Sequence, residues 1–174
     1  MMKEITVRPK PQNSNAKIAF LITLFISFAV FGVYLAIDRF RGVVGMFALL
    51  SLVTAILFYT KYISPVFCYD LTFDSEDNPI FIVRQITGKR QSTLCRIDIA
   101  DIKSIKKEKR AEMRAHKTPA GYRKYVYAPT LFPPEVYRIT VIGRYEKSEI
   151  LIECTEEFAQ YLLSCASEAW AEEE

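Results

Sequence analysis

Apolar and polar positions follow three successive patterns along the chain. From Ile18 to Ile37 and from Gly42 to Thr60 no charged residue interrupts two nearly continuous apolar runs, and only Asp38-Arg39-Phe40-Arg41 separates them. Each run is close to the roughly 20 residues that a helix needs to cross a bilayer core of about 30 Å. Thirteen Ile, Leu, Val and Phe side chains lie between Ile18 and Ile37. Each favours insertion by about 0.3–0.6 kcal/mol at the centre of a span. Thr23 and Ser27 can bond to carbonyls of their own helix. The pattern predicts a transmembrane helical hairpin with spans 18–37 and 43–63. A buried soluble pair would need a larger core than the rest of the chain supplies, and a signal peptide has a shorter apolar run with no second one behind it. Gly32–Ala36 and Ser51–Ala55 have the small-xxx-small spacing that lets helices approach closely.

Beyond Ser64 the period changes to two. Short alternating runs bounded by turn residues predict strands at Val66–Phe73, Ile80–Thr87, Ser92–Ile97, Ile102–Lys107, Tyr122–Tyr127, Val136–Ile142 and Ser148–Cys154. Asp74 to Pro79 and Gly88-Lys89-Arg90 are the turn-forming stretches between the first three. After Thr155, an N-cap candidate followed by Glu156 and Glu157, the period becomes helical. Phe158, Tyr161, Leu162, Cys165, Ala166 and Ala169 form one apolar stripe, expected to pack on the strands. Three regions follow: an arm at 1–17, rich in Pro, Asn and Ser and expected to be flexible; the hairpin at 18–63; and an α+β unit at 64–174.

Charge narrows the possibilities. Of the 23 Lys and Arg, seven lie in residues 1–63 against Glu4 and Asp38. The remaining 16 face 18 Asp and Glu in residues 64–174, so the β-rich part is slightly acidic and no nucleic-acid partner is expected. The basic residues of the arm, together with Lys61, outnumber Arg39 and Arg41 in the turn. The positive-inside rule therefore puts both termini and the β-rich unit in the cytoplasm of a cell whose inner or plasma membrane the hairpin spans. Four cysteines without a CxxC pair and a single histidine, His116, give little from which to build a metal site or a Cys/His catalytic pair. Neither a cofactor nor a metal is expected. Unpaired thiols suit a reducing compartment.

The strand and turn pattern of Ile82-Val83-Arg84-Gln85, of Cys95-Arg96-Ile97-Asp98-Ile99-Ala100-Asp101-Ile102, of Tyr125–Pro133 and of Tyr137-Arg138-Ile139-Thr140 resembles small bacterial membrane proteins in which a pleckstrin-homology-like (PH-like) domain follows two spans. Most members of that group are uncharacterised. The resemblance implies an antiparallel barrel of about seven strands closed by the C-terminal α-helix. Phosphoinositide-binding relatives place Lys and Arg around the first two strands; here that turn carries Asp74, Glu76 and Asp77, so no specific phosphoinositide is expected.

The densest charge run is Lys103 to Lys124, with nine positive residues against Glu108 and Glu112. Lys103, Lys106, Lys107, Lys109, Arg110, Arg114 and Lys117 are the candidate contacts to anionic lipid; a solvated excursion between strands has the same composition. His116 reads as an exposed loop residue without a visible partner. Asp98 and Asp101 read as turn-capping residues, because no nucleophile or ligand set accompanies them. Tyr125 and Tyr127 read as strand packing rather than a base-stacking platform.

These features point to a non-enzymatic, membrane-anchored interaction or scaffold module that binds a protein partner or its own copies. The alternative from another class is a small subunit of a transport or channel assembly that oligomerises through the hairpin, although neither span carries the ionisable residue that marks a pathway. The expected topology is open to cysteine labelling in intact cells. An Arg41→Cys variant should react with an impermeant reagent from outside and Lys10→Cys should not; the opposite pattern would refute the orientation.

Overall fold

The computed structural model describes residues 4–9, 15–36, 41–75, 78–144 and 146–172. The turn residues Asp38, Arg39 and Phe40, together with Lys10, Glu76, Asp77, Glu173 and Glu174, lie outside the described residues. The chain divides into two compact units, Gln12–Pro65 and Met1–Pro11 with Val66–Glu174.

The first unit is a helical pair. Helix α1 (Asn15–Ala36) and helix α2 (Arg41–Phe58), which continues as a π-turn at Tyr59–Ile63, are both long and apolar enough to cross a membrane. Their apolar side chains point mostly outward, with Leu21, Phe25, Phe28, Met46, Leu49 and Leu50 all exposed. Such a surface suits hydrocarbon rather than water. The hydroxyls are satisfied within the helices: Thr23 donates to the Ala19 carbonyl at 2.8 Å, Ser51 to Ala48 at 2.9 Å and Thr54 to Leu50 at 2.8 Å. Small residues face the seam, among them Ala55 of the suggested Ser51–Ala55 pair, but Gly32 and Ala36 of the other pair are exposed. Ser27, Ala48 and Ala55 are buried, and a Cβ on Gly45 would stand 3.1 Å from the Tyr34 ring. Gly32 has nothing within 4 Å of such a Cβ. Gly45, Ala48 and Ala55 share one helix face by their own 3.6-residue period, which a pair of residues four apart does not by itself reveal.

Among the described residues, the second unit contains eight strands in two four-stranded sheets. The first has the order β1-β2-β3-β4, with β1 at Ile5–Val7, β2 at Pro65–Phe73, β3 at Pro79–Thr87 and β4 at Arg90–Asp98. A 3-10 turn at Ile99–Asp101 leads into the second, of order β5-β7-β8-β6. There β5 is Ile102–Lys109, β6 Tyr122–Tyr127, β7 Glu135–Ile142 and β8 Lys147–Ile152; the short helix α3 (Arg110–Ala115) follows β5. Between β3 and β4, Gly88 takes φ +60, so that Thr87 and Arg90 pair across a two-residue turn.

Helix α4 (Glu156–Glu172) packs its stripe on the sheets. Phe158, Leu162, Cys165 and Ala166 are buried with Tyr69, Phe81, Ile99, Ile102, Ile139, Ile150 and Ile152 in one core. Tyr161 and Ala169 pack at its margin. The Phe158 ring lies 6.4 Å from Tyr69 and 6.3 Å from Phe81. At its start, the Phe158 N–H donates to the Thr155 hydroxyl at 3.4 Å, and towards its end the Trp170 indole N–H donates to the Ile102 carbonyl at 2.7 Å.

Three expectations change. The strands are two sheets rather than one closed antiparallel barrel of about seven. Strand β6 runs parallel to β8, from Tyr122 opposite Lys147 to Tyr127 opposite Ile152. The connection 128–134 contains Pro129, Pro133 and Pro134, which lack the N–H needed for a tight β6–β7 hairpin, so β7 pairs instead with β5 and β8. The segment 1–17 is not wholly a flexible arm. Ile5–Val7 forms β1, antiparallel to β2 with Thr6 opposite Asp70, because Ile5 and Val7 alternate towards the core and Thr6 away from it.

Leu162 is 0% exposed at the centre of the α4 stripe. Leu162→Ala should destabilise the chain by about 2–5 kcal/mol through the cavity it opens. Thermal unfolding of the full chain in detergent, followed by near-ultraviolet circular dichroism, reads the loss. An unchanged melting temperature would mean that α4 does not hold the sheets together.

Candidate functional site

The register of the second sheet gives it two faces. Ile139 sits opposite Ile105 and Ile150 and faces the core, with Tyr125 of β6 beside Ile150. The other face carries Glu108, Arg138, Thr140, Glu149 and Leu151. That face is not solvated: Val136, Arg138, Glu149 and Leu151 are all buried. The excursion after β5 and the connection after β6 join over it. The Arg110 N–H donates to the Pro134 carbonyl at 3.0 Å, and the Arg110 guanidinium lies 4.8 Å from the Phe132 ring. At the start of helix α3 the Lys109 N–H donates to the Glu112 carboxylate at 2.9 Å.

A charged network fastens this cover. The Arg138 guanidinium, 3% exposed, is a two-sided fork. Its Nε and Nη2 donate to the Glu108 carboxylate at 2.6 and 2.7 Å, and its Nη1 donates to Glu149 Oε2 at 2.7 Å. The other Glu149 oxygen lies 2.9 Å from His116 Nε2. Residues from β5, β7, β8 and the loop after α3 therefore meet at one point. The groups carry one net negative charge with His116 neutral and none with it protonated. The Arg138 hydrogen bonds hold the Glu108 carboxyl below its ordinary pKa, against the opposing pull of burial. Burial alone would lower the pKa of Arg138, but its two carboxylates raise it instead. His116 is thus not a partnerless loop residue; its partner, Glu149, sits 33 positions away and is invisible to local pattern.

The basic run divides between the two faces of β5: Lys106 shares the face of Arg138, whereas Lys107 and Lys109 alternate to the other, opposite Tyr137 and Glu135. Lys103, Lys106 and Lys109 are exposed on β5, Arg114 on α3 and Lys117 in the loop beyond it. Two of the candidates are committed to packing. Lys107 bonds Glu135 at 2.9 Å, which raises its pKa, and lies 3.9 Å from Glu156 at the start of α4. Arg110 stacks against Phe132. The run does not stay together in space: Arg123 and Lys124 belong to β6, at the opposite edge of the sheet from β5. Tyr125 and Tyr127 pack against the core as expected of strand residues, their rings stacked 6.1 Å apart. Asp98 precedes the 3-10 turn without a side-chain capping bond, contrary to its reading as a cap. Asp101 approaches Gly143 so closely that a Cβ there would stand 3.3 Å from its carboxylate.

Sequence reading missed Glu108, Arg138 and Glu149 as a set. The available signal was a charge at an alternating position of two otherwise apolar strands, Tyr137-Arg138-Ile139 and Glu149-Ile150-Leu151. The four cysteines are unpaired. Burial pushes the thiol of Cys95 up to about 11 and that of Cys154 up to about 12, away from nucleophilic use. Among the described residues no group of three or more His, Cys, Asp or Glu is placed to hold a metal ion. No protein-family model, curated protein or solved structure matches the chain.

The depressed Glu108 pKa fixes the sign of an acid effect. Its ion pair stabilises the fold above the ordinary carboxyl pKa, and that contribution is lost as pH falls through the lower folded value. Between about pH 6 and pH 3, denaturant unfolding should show wild type losing more stability than Glu108→Gln, which has no such proton to take up. Equal losses would remove Glu108 from the network. Arg138→Leu, which leaves two carboxylates without their cation, should cost about 3–5 kcal/mol at neutral pH.

Proposed function

We propose that the chain is a non-enzymatic, membrane-anchored interaction module. Its helical pair crosses the inner or plasma membrane of a bacterial cell and tethers a cytoplasmic β-rich unit related to the PH-like fold. The exposed part of the β5–α3 surface meets anionic lipid, and partner proteins or further copies of the chain bind the unit there.

The observation that carries this reading is the pairing of β1 with β2. Strand β1 lies before α1 and β2 directly after the π-turn that ends α2, yet Ile5, Thr6 and Val7 align with Leu71, Asp70 and Tyr69. A chain that enters a membrane at α1 must then re-emerge on the side from which it left, which two spans accomplish and one does not. The Lys and Arg distribution supports the cytoplasm as that side. The β-rich unit begins within two residues of Ile63, so it cannot drift far from the surface. Lys103, Lys106, Lys109, Arg114 and Lys117 each contribute roughly 1 kcal/mol near an anionic leaflet. His116, bonded to the Glu149 of the Arg138 network, holds the loop that carries Lys117, which lowers the ordering cost of binding there.

A soluble variant tests the lipid contact. In it a short Gly/Ser linker replaces residues 12–64, so that β1 remains available to β2. It should bind phosphatidylserine vesicles at about 50 mM salt and release them near 0.5 M, because exposed charges are screened over about 8 Å or less above physiological ionic strength. Lys106→Glu with Lys109→Glu should weaken binding several-fold; Lys107 is left intact because it bridges to Glu135. Vesicle binding that ignores salt, or its absence at low salt, would reject the lipid surface.

A further inference from the structure

The turn between β3 and β4 lies at a defined end of the first sheet. Strands β2 and β3 are neighbours joined through residues 74–78, where the Asp74 N–H donates to the Asn78 carbonyl at 3.0 Å. So short a connection returns an antiparallel strand. The start of β2 at Pro65 and the end of β3 at Thr87 therefore lie together, away from that connection. Thr87 pairs with Arg90, which puts Gly88 and Lys89 at the same end. Strand β1 runs antiparallel to β2, with Ile5 opposite Leu71 and Val7 opposite Tyr69, so the chain leaves β1 towards this end too. Both connections to residues 12–65, one after β1 and one before β2, thus depart on the side where the Gly88-Lys89-Arg90 turn projects.

Charge is sorted along the same axis. Lys89 and Arg90 are exposed, and neither makes an ion pair or a side-chain hydrogen bond with another described residue. The described carboxylates of the first sheet and its connections lie elsewhere. Asp70, at mid-strand, accepts from Thr6 and Arg84, and Glu4 accepts from the Thr72 hydroxyl. Asp98 stands opposite Ile80, and Asp74 accepts from the Asn78 N–H in the far turn. Arg96, opposite Ile82, lies with them. The nine residues of β3 separate Asn78 from Gly88, a length of about 30 Å. Charges so far apart are screened from each other, because the Debye length at physiological salt is about 8 Å. Val66, 45% exposed, adds an apolar side chain at the basic end.

From this placement we infer that the Gly88-Lys89-Arg90 turn contacts the phosphates of anionic lipid headgroups in the leaflet through which the chain enters and leaves the bilayer. The inference rests on the reading that the helical pair spans a membrane, and it is independent of the β5–α3 surface. Pro65 follows Ile63 by two positions, so this end of the sheet is tethered at the point where the chain returns. The tether raises the effective concentration of headgroups, and the contact needs little affinity of its own. The Arg90 guanidinium presents paired N–H donors to phosphate oxygens, and Lys89 adds a point charge. Asp74 and Asp98, at the other end, are repelled by the same leaflet, which turns that end outward.

The test uses the full chain in nanodiscs, with its glycines and asparagines labelled with nitrogen-15. A nitroxide carried on the lipid headgroup should broaden the amide signals of Asn15, at the start of α1, and of Gly88, and should leave Asn78 sharp. Replacing part of the phosphatidylcholine by phosphatidylglycerol should shift Gly88 and not Asn78. Lys89→Gln with Arg90→Gln should abolish that shift. The charge-conserving pair Lys89→Arg with Arg90→Lys should keep it, which separates lost charge from an altered turn. Lys106→Glu with Lys109→Glu should leave the Gly88 response unchanged, so this contact and the β5–α3 surface fail separately. Broadening of Asn15 without Gly88, no phosphatidylglycerol shift at Gly88, or a shift undiminished in the Lys89→Gln, Arg90→Gln chain overturns the contact alone. A sharp Asn15 signal overturns the membrane reading and the contact with it.

Discussion

The pairing of a three-residue strand with one that lies beyond two long helices is the constraint on which the architecture depends. Strand β1 is too short to hold itself. It is retained because Ile5 and Val7 add to the core, while the Thr6 hydroxyl donates to Asp70 Oδ1 at 2.7 Å across 64 positions. Asp70 is buried, and its other oxygen accepts from Arg84 on β3. One carboxylate therefore links β1, β2 and β3. Closing so long a loop costs less than its length suggests, because closure entropy grows only logarithmically and the helical pair is itself ordered. The result is a β-rich unit that is continuous in space and discontinuous in sequence.

The second sheet depends on a different kind of contact. A guanidinium between two carboxylates is a weak source of net stability, because desolvation offsets much of the attraction. Its geometric demand is strict, however. Arg138 reaches Glu108 with two N–H groups and Glu149 with a third, and Glu149 has an oxygen left for His116. His116 ties the chain between β5 and β6 to this set, its Nε2 2.9 Å from Glu149. The network thus specifies where α3 and its loop lie, and with them Arg114 and Lys117. The exposed basic residues owe their arrangement to a set of buried ones.

The sheet order also explains why the basic run is two features rather than one. Sequence proximity suggested a single patch from Lys103 to Lys124. Strands β5 and β6 form opposite edges, with β7 and β8 between them. In the first part of the run Lys106 shares the face held by Arg138, whereas Lys107 and Lys109 alternate to the other. The last part, Arg123, joins Arg144 and Lys147 at a cleft whose members come from two distant stretches of the chain. A linear charge count sees neither the division nor the new grouping.

The sequence by itself determined the elements. Two charge-free runs specified the helices α1 and α2, alternation placed seven of the eight strands to within a few residues, and a 3.6-residue stripe identified the face of α4 that Leu162 and Phe158 bury. These signals are local, because backbone periodicity couples residues only two to four positions apart. The tertiary structure alone decided which strands pair. It recruited Ile5–Val7 to β2, set β6 parallel to β8, brought Glu149 to His116 and left two sheets instead of a closed barrel. Each of these depends on burying apolar surface and matching charges between residues tens of positions apart, and the chain carries no short-range mark of a partner it meets only once folded.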